Sequence, residues 1–348
     1  MLGPVRKVLT EMAPFKVVMI VHEDIAGPVP DRVLKQFTDE GIEFADIPCT
    51  EPEQVVDCAA DADVIWVFGG SHVISADILD RLPRCRAILR SGTGTDNIPV
   101  DKATELGIVV ANTPETTMHP VSEHMIALLL AMVRHIVIQD RWIREGRWEQ
   151  EHFGLWPNWH LQGRTLGLVG FGRIARLIVE KVRGFNFRIV AFDPAVDAAV
   201  MAEHDVEPVS LDHIFEQSDF VSLHCPLTDE TYHIVDESKL RKMKPNAMLI
   251  NTSRGKLIDE PALIRALTEG RIAAAALDVF ETEPIDPDNP LLKMKNIVLT
   301  PHLAGNSSEF PDNFWNDSER TLLALSKDQM PPWYVNPKVK PRWQPLPG

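Results

Sequence analysis

The chain has 348 residues, room for two domains of ordinary size and a sizeable core. Apolar residues make up 45% and charged residues 24%, which excludes collagen-like, coiled-coil and wholly disordered chains. A net charge of −15 repels phosphate backbones and anionic membranes, so neither nucleic acid nor a membrane surface is an expected partner.

Short runs rich in Val and Ile recur along the chain, each followed by a polar or helix-periodic segment, which is the pattern of a parallel α/β sheet. The first set predicts strands at Lys16–Val21, Phe44–Ile47, Val64–Phe68, Ala87–Leu89 and Val109–Ala111, with a helix over Asp31 to Glu40. A connecting helix follows from Val121 to about Arg144. Met125, Leu128, Leu129, Met132, Ile136 and Ile143 make it apolar over most of its circumference, and Trp142 and Trp148 near its end call for a partner surface. Its greasiest stretch, Met125 to Ile138, is interrupted by Arg134 and His135 and is shorter than the roughly 20 apolar residues of a membrane span. A second set predicts six strands at Thr165–Val169, Arg188–Phe192, Phe220–Leu223, Ala247–Asn251, Ala273–Leu277 and Asn296–Thr300, enough for a dinucleotide-binding sheet. The Pro-rich segment from Pro331 to Gly348, with Trp333, Tyr334 and Trp343, is expected to lie extended over another surface.

The second set opens with Gly167-Leu168-Val169-Gly170-Phe171-Gly172-Arg173-Ile174-Ala175, a glycine turn between a strand and a helix that reaches about Gly184. Gly170 permits the tight turn, Gly172 lets the backbone approach a pyrophosphate, and Ala175 stands in for a third glycine. The N–H groups that open the helix, from Arg173 and Ile174 on, then face the phosphates. Asp193 ends the next strand, where a carboxylate accepts from adenosine ribose hydroxyls and repels a 2′-phosphate, favouring NAD over NADP. As a residue before Pro194 it also suits a plain turn.

Three polar residues stand just after strands of the second set, the edge at which open α/β sheets bind ligands. Arg254 offers a planar fork for a carboxylate or carbonyl, and His302 beside the carboxylate of Glu283 can deliver and recover a proton. Together they suit reduction of a 2-oxo acid. Singly, each has a structural alternative: a surface ion pair for Arg254, a cap before Pro284 for Glu283, a strand-end histidine for His302.

The chain resembles the D-isomer-specific 2-hydroxyacid dehydrogenase family from about Lys16 to about Leu325. The resemblance rests on Leu168–Ala175, Leu223-His224-Cys225-Pro226-Leu227-Thr228, Asn251-Thr252-Ser253-Arg254-Gly255, Ala276-Leu277-Asp278-Val279-Phe280, Glu283-Pro284 and Thr300-Pro301-His302, which occur in family order and at family spacing. It implies two doubly wound parallel-sheet domains with the cleft between them: a flavodoxin-like substrate domain of residues 1–118 and 310–348, and a Rossmann NAD-binding domain of residues 119–309. It implies that Arg254 binds the substrate's carboxylate and carbonyl, that His302 is the proton donor and acceptor, and that Glu283 orients and charges the imidazole. Asp278 would hold the nicotinamide carboxamide, Pro226 and Thr228 with Cys225 would border the adenosine, and Thr252, Ser253 and Arg254 the nicotinamide side. Glu283, where formate dehydrogenases of the family carry Gln, argues against formate.

Leu89-Arg90-Ser91-Gly92-Thr93-Gly94 resembles the family's substrate-carboxylate loop, and Gly92 and Gly94 would bare N–H donors as an anion nest around Ser91, Gly92 and Thr93. An ordinary glycine turn fits the same residues. Two departures concern substrate. Gly69-Gly70-Ser71-His72 lacks the basic residue that phosphoglycerate dehydrogenases of the family place after the third strand, and the chain ends at Gly348 without their regulatory domain. Glyoxylate, hydroxypyruvate or a larger 2-oxo acid is therefore the expected substrate. A nicotinamide-sensing, corepressor-like binding protein and an inorganic-anion (phosphite-type) dehydrogenase are the alternatives.

Cys49, Cys58, Cys85 and Cys225 form no C-x-x-C pair and are too few for a disulfide framework or a zinc cage, so they read as buried thiols of a cytoplasmic protein. The Met1–Phe15 segment, broken by Arg6, Lys7 and Glu11, has no signal-peptide core. His119, His124 and His135 are not at zinc spacing, so no metal is expected, and Glu123 and His124 read as helix and interface residues. A homodimer through the nucleotide domain is the family's expectation.

Overall fold

The computed structural model describes residues 14–20, 28–67, 72–148 and 156–346. The expectations for the amino end before Pro14, for Val21 and Phe68, and for the Gly69–Ser71 loop lie outside the described residues. The chain divides into two compact units, residues 1–116 with 311–348 and residues 117–310.

In the first unit the predicted strands form at β1 (Phe15–Ile20), β2 (Ile42–Asp46), β3 (Val64–Val67), β4 (Ala87–Arg90) and β5 (Val109–Asn112). They pair in parallel in the order β2-β1-β3-β4-β5, the flavodoxin-like order. β3 and β5 are buried along their whole length, which is why they read as unbroken apolar runs and not as alternating ones. The helix Asp31–Asp39 buries Val33 and Phe37, one turn apart on a single face. Helix Phe310–Ser326 returns the carboxyl end to this unit, and its Phe314 and Trp315 pack on the fully buried Trp66 of β3.

The Pro-rich tail covers the outer side of β5. Tyr334 bridges Ala111, Val335 donates its N–H to the Val110 carbonyl at 2.9 Å, and the Asn336 side chain accepts from Val110 and donates to Ile108, each at 2.9 Å. Farther on, Arg342 donates to the carbonyls of Leu106 (2.6 Å) and Cys85 (2.8 Å). An exposed strand edge invites pairing with other chains, and here the segment that follows the last helix occupies it.

The second unit holds seven strands: β6 (Thr165–Val169), β7 (Arg188–Phe192), β8 (Glu207–Pro208), β9 (Phe220–Leu223), β10 (Met248–Asn251), β11 (Ala274–Leu277) and β12 (Ile297–Leu299). Six were expected. The extra one, β8, is two residues long and contains Pro208, so it carries no strand pattern of its own. All pair in parallel in the order β12-β11-β10-β9-β6-β7-β8. The order reverses between β6 and β9, and such a switch point opens a crevice at the carboxyl ends of the strands. Successive strand residues face opposite sides. Leu166, Leu168, Phe220, Met248 and Ile250 pack with Ile178, Val179 and Val182 of helix Arg173–Val182. Val169, Val221, Leu223, Leu249 and Leu277 pack with Leu263 and Ala266 of helix Glu260–Thr268.

The connecting helix differs from expectation. It begins at Glu115, runs through Pro120 to Val133, and gives way to a second helix, Ile136–Arg144, bent from the first by 63°. His135 makes the break by adopting a positive φ of 55°. The first helix buries Met125, Leu128, Leu129, Met132 and Val133, whereas the second buries none of its residues. Among the described residues no single helix is long and apolar enough to cross a membrane.

Candidate active site

The glycine turn sits at the switch point, between β6 and helix Arg173–Val182. Gly170 has φ +95°, and a Cβ there would lie 2.6 Å from the backbone nitrogen of Cys225, so the residue after β6 must be glycine for β9 to exit beside it. Gly172 caps the helix, and a Cβ on it would project into open space. That open position in front of the N–H groups of Arg173 and Ile174 fits a pyrophosphate. At the end of β7, Asp193 accepts from the Phe171 N–H (2.8 Å) and from the Ala195 N–H (2.9 Å). It thus makes the turn and braces the glycine loop as well. An ionised carboxylate has about four acceptor sites, so capacity remains for ribose hydroxyls.

The other residues expected to border the cofactor cluster at the ends of β9 and β10. Pro226 and Thr228 form one turn: Thr231 donates its hydroxyl to the Pro226 carbonyl at 2.7 Å and receives the Thr228 N–H at 2.7 Å. The Cys225 thiol is pushed up to about 11, chiefly by burial, so it presents a neutral, weakly polar surface. Ser253 spends its hydroxyl on the Leu223 carbonyl at 2.8 Å, tying β10 to β9. The Thr252 hydroxyl is a buried oxygen without a hydrogen-bond partner, which is what a residue meant to meet a bound group looks like.

Arg254 begins the loop after β10. Its carbonyl accepts from the Asn251 side chain at 2.8 Å, and its guanidinium donates to the Ser253 carbonyl at 2.8 Å. The next residue, Gly255, lies so close to the loop after β11 that a Cβ would fall on the Phe280 carbonyl. That approach brings Arg254 to the loop carrying Glu283. Glu283 receives the Phe280 N–H at 2.9 Å on one oxygen and meets His302 Nδ1 at 2.7 Å on the other. Burial pushes the Glu283 carboxyl up, but the His302 ring, the Phe280 N–H and the charges of His302 and Arg254 outweigh it and hold the group below the ordinary carboxylate range. His302 itself has a positive φ of 54° and remains about half exposed, with Nδ1 turned to Glu283.

Asp278 ends β11 and is fully buried. One oxygen accepts from the Thr300 hydroxyl (2.6 Å) and the Leu303 N–H (3.0 Å), the other from the Ala304 N–H (2.9 Å), and its carbonyl accepts from the His302 N–H (2.7 Å). Its visible work is therefore to build the His302 turn. His124, read from sequence as an interface residue, places Nε2 2.9 Å from the Thr300 hydroxyl and 3.5 Å from Asp278. Sequence spacing held no signal for this, because 176 residues separate His124 from Thr300.

In the first unit the turn after β4 corrects one expectation. The Gly92 N–H is not an open donor: it is given to the Thr113 hydroxyl at 2.6 Å, because the residue following β5 lies alongside. Gly92 does have a positive φ, +99°, with the Arg90 guanidinium against its α-carbon. Ser91 is buried and its hydroxyl accepts from the Trp66 indole at 2.7 Å, while the Thr93 carbonyl accepts from Asn112 at 2.8 Å. Trp66 and Thr113 are supports that the sequence reading missed. Among the described residues no three His, Cys, Asp or Glu side chains are grouped to hold a metal ion.

A parallel sheet of this order, with a glycine turn at its switch point and a guanidinium, a carboxylate and an imidazole at its strand ends, defines a nicotinamide-nucleotide oxidoreductase. The family model of the D-isomer specific 2-hydroxyacid dehydrogenase, NAD binding domain, matches residues 126–304. A glyoxylate reductase of Korarchaeum cryptofilum is 42% identical over 288 residues, covering 82% of this chain and 85% of that protein. A D-3-phosphoglycerate dehydrogenase of Mycobacterium bovis is 38% identical over 280 residues, covering 80% of this chain but 52% of that protein. The crystal structure of a glyoxylate reductase from Paecilomyes thermophila superposes with a TM-score of 0.82 at 27% identity, covering 93% of this chain and 99% of that one. The chain belongs to the D-isomer-specific 2-hydroxyacid dehydrogenase family. It is an NAD(P)-binding oxidoreductase that acts on the CH–OH group of 2-hydroxy acids and on the corresponding 2-oxo acids.

Proposed function

We propose that the chain is an NAD-dependent reductase of small 2-oxo acids, with glyoxylate and hydroxypyruvate the first candidates. The observation that carries this reading is the 2.7 Å pair of His302 Nδ1 and Glu283, beside Arg254 at the carboxyl edge of the sheet. The glyoxylate reductase relative, matched over most of its length, supports the small substrate. The phosphoglycerate dehydrogenase relative extends well beyond the match.

When bound, the dinucleotide would supply hydride for the carbonyl carbon. Arg254 holds the substrate's carboxylate and draws charge onto the carbonyl oxygen. His302, held through Nδ1 by Glu283, donates a proton from Nε2 to that oxygen. In the oxidative direction the same nitrogen takes the proton back. The turn of Ser91, Gly92 and Thr93 is the candidate substrate-carboxylate loop, through groups other than the Gly92 N–H.

Gly170, Gly172, Arg173 and Ile174 are assigned to the pyrophosphate, Asp193 to the ribose and to discrimination against a 2′-phosphate, Cys225, Pro226 and Thr228 to the adenosine, and Thr252, Ser253 and Asp278 to the nicotinamide. A homodimer would cover Ile136, Val137 and Ile143 of the second connecting helix, together with the exposed Trp148. Four free thiols suit a reducing compartment such as the cytoplasm.

The test is a panel of glyoxylate, hydroxypyruvate, 3-phosphohydroxypyruvate, bulkier 2-oxo acids and phosphite, scored by change in NADH absorbance. Fastest turnover with glyoxylate or hydroxypyruvate supports the reading. Turnover confined to phosphite or to the phosphorylated acid refutes it, and NADH binding without any turnover favours a nicotinamide-sensing protein.

A further inference from the structure

We propose that His124 is a positioning residue for the reaction, acting on His302 through Thr300 and Asp278. The inference rests on His302 being the proton-transfer group, and its first observation is a continuous hydrogen-bonded path. Thr300 gives its single hydroxyl hydrogen to Asp278, at 2.6 Å. Its oxygen then has only lone pairs to offer, so His124, 2.9 Å away, must present an N–H at Nε2. Asp278 passes the restraint on: its side chain takes the N–H groups of Leu303 and Ala304, and its carbonyl takes that of His302.

The turn so fixed is one that needs fixing. His302 is a non-glycine residue at φ 54°, a conformation an L side chain adopts at some cost. Its ring must also keep Nδ1 on Glu283 while Nε2 faces the substrate. A second contact ties the same turn to the same helix, because Gly305 lies against Thr117 and Val121, about two turns and one turn before His124. There is room for nothing larger than glycine without displacement: a Cβ would come within 3.2 Å of Thr117.

Asp278 is fully buried, and a buried carboxylate depends on its full set of donors. With His124 replaced by an apolar side chain, the Thr300 hydroxyl loses the His124 N–H and is no longer held toward Asp278 from behind. The loop after β12 then samples more than one geometry, and the His302 ring leaves its line with Glu283. Glutamine at position 124 keeps a side-chain N–H within reach and restores the path.

The experiment compares wild type, His124→Leu and His124→Gln by two readouts. The first is kcat for 2-oxo acid reduction set against the Kd of NADH. The second is the imidazole N–H resonance of His302, assigned through His302→Asn. The expected result is that His124→Leu lowers kcat by about 10- to 100-fold, an effect typical of a mispositioned acid, with the NADH Kd changed less than about 3-fold. The His302 N–H exchanges with solvent faster in His124→Leu, and His124→Gln recovers most of both signals. A Leu variant with wild-type kcat and an unchanged His302 resonance overturns the proposal, as does a Leu variant that loses NADH binding and thermal stability in step with kcat. Absence of reductase activity in wild type would refute the functional reading alone, since the resonance still reports whether His124 holds His302.

Discussion

His302 and Glu283 form the central pair of the site: Nδ1 of the ring lies 2.7 Å from a carboxylate oxygen whose partner oxygen is anchored by the Phe280 N–H. The carboxylate fixes the ring's orientation through Nδ1. Glu283→Gln retains an acceptor for Nδ1–H but removes the charge. The pair then loses the charge that complements proton transfer, and kcat falls by about 10- to 100-fold. Steady-state rates of the variant against wild type check this.

Gly255 and the Phe280 carbonyl are in such close approach that no side chain fits. Gly255→Ala forces apart the loops that bring Arg254 and Glu283 together. Overpacking of this kind costs about 1–3 kcal/mol in stability. The displacement of Arg254 relative to Glu283 adds a loss in kcat/KM of roughly 100-fold, the scale of a 1 Å misplacement. A melting curve and a kinetic titration separate the two effects: loss of stability without loss of kcat/KM would detach Gly255 from the site.

Asp193 braces the glycine loop and is proposed to set coenzyme choice, so its variants divide. Asp193→Ser removes the charge that repels a 2′-phosphate, and the preference for NADH over NADPH falls by about 10-fold or more, as expected for loss of one charge at close range. Phe171 and Ala195 donate to different oxygens of Asp193, so Asp193→Asn, with one acceptor oxygen, keeps only one of these bonds and melts below wild type. The ratio of kcat/KM for the two coenzymes is the measurement, and an unchanged ratio in Asp193→Ser removes Asp193 from coenzyme choice.

Stability should fall on both sides of neutrality for identifiable reasons. Burial pushes His224 from its ordinary 6.5 down to about 3. The unfolded chain therefore takes up a proton there that the native chain does not, and stability is lost as the pH falls from about 6.5 toward 3. Burial raises the Cys85 thiol from 9.0 to about 12. Burial also raises Cys49, with help from neighbouring Cys58, to about 12. In these cases the unfolded thiols ionise first, so stability present below about 9 is lost as the pH climbs toward 12. Melting temperatures of wild type and His224→Asn against pH test the acid side, where the variant has the shallower limb. Native Cys49 and Cys85 should also resist a thiol reagent that labels them promptly after unfolding.

Much of this was legible from residues in order. β6 and β9 have the bounds their sequence runs predict because each is buried along its whole length, whereas β7 runs from an exposed Arg188 into buried Val190 and Ala191. Arg254, Glu283 and His302 could be named because each follows a strand and the strands are parallel, so their ends share one edge. What escaped was long-range or conformational. The break at His135 leaves no trace in a helical pattern whose apolar residues continue past it, and a positive φ on histidine has no sequence mark. The Gly92 N–H looked open because its partner, Thr113, stands at the end of a different strand. Likewise, nothing local joins His124 to Asp278.

The central claim is that hydride passes to C2 of a 2-oxo acid while His302 protonates the oxygen. NADH carrying deuterium at both nicotinamide C4 positions, incubated with hydroxypyruvate, tests it most directly. The account predicts D-glycerate carrying one deuterium at C2 from wild type, formed at least about 100-fold more slowly by His302→Asn. Product without deuterium at C2, product of L configuration, or an equal rate from His302→Asn would contradict it.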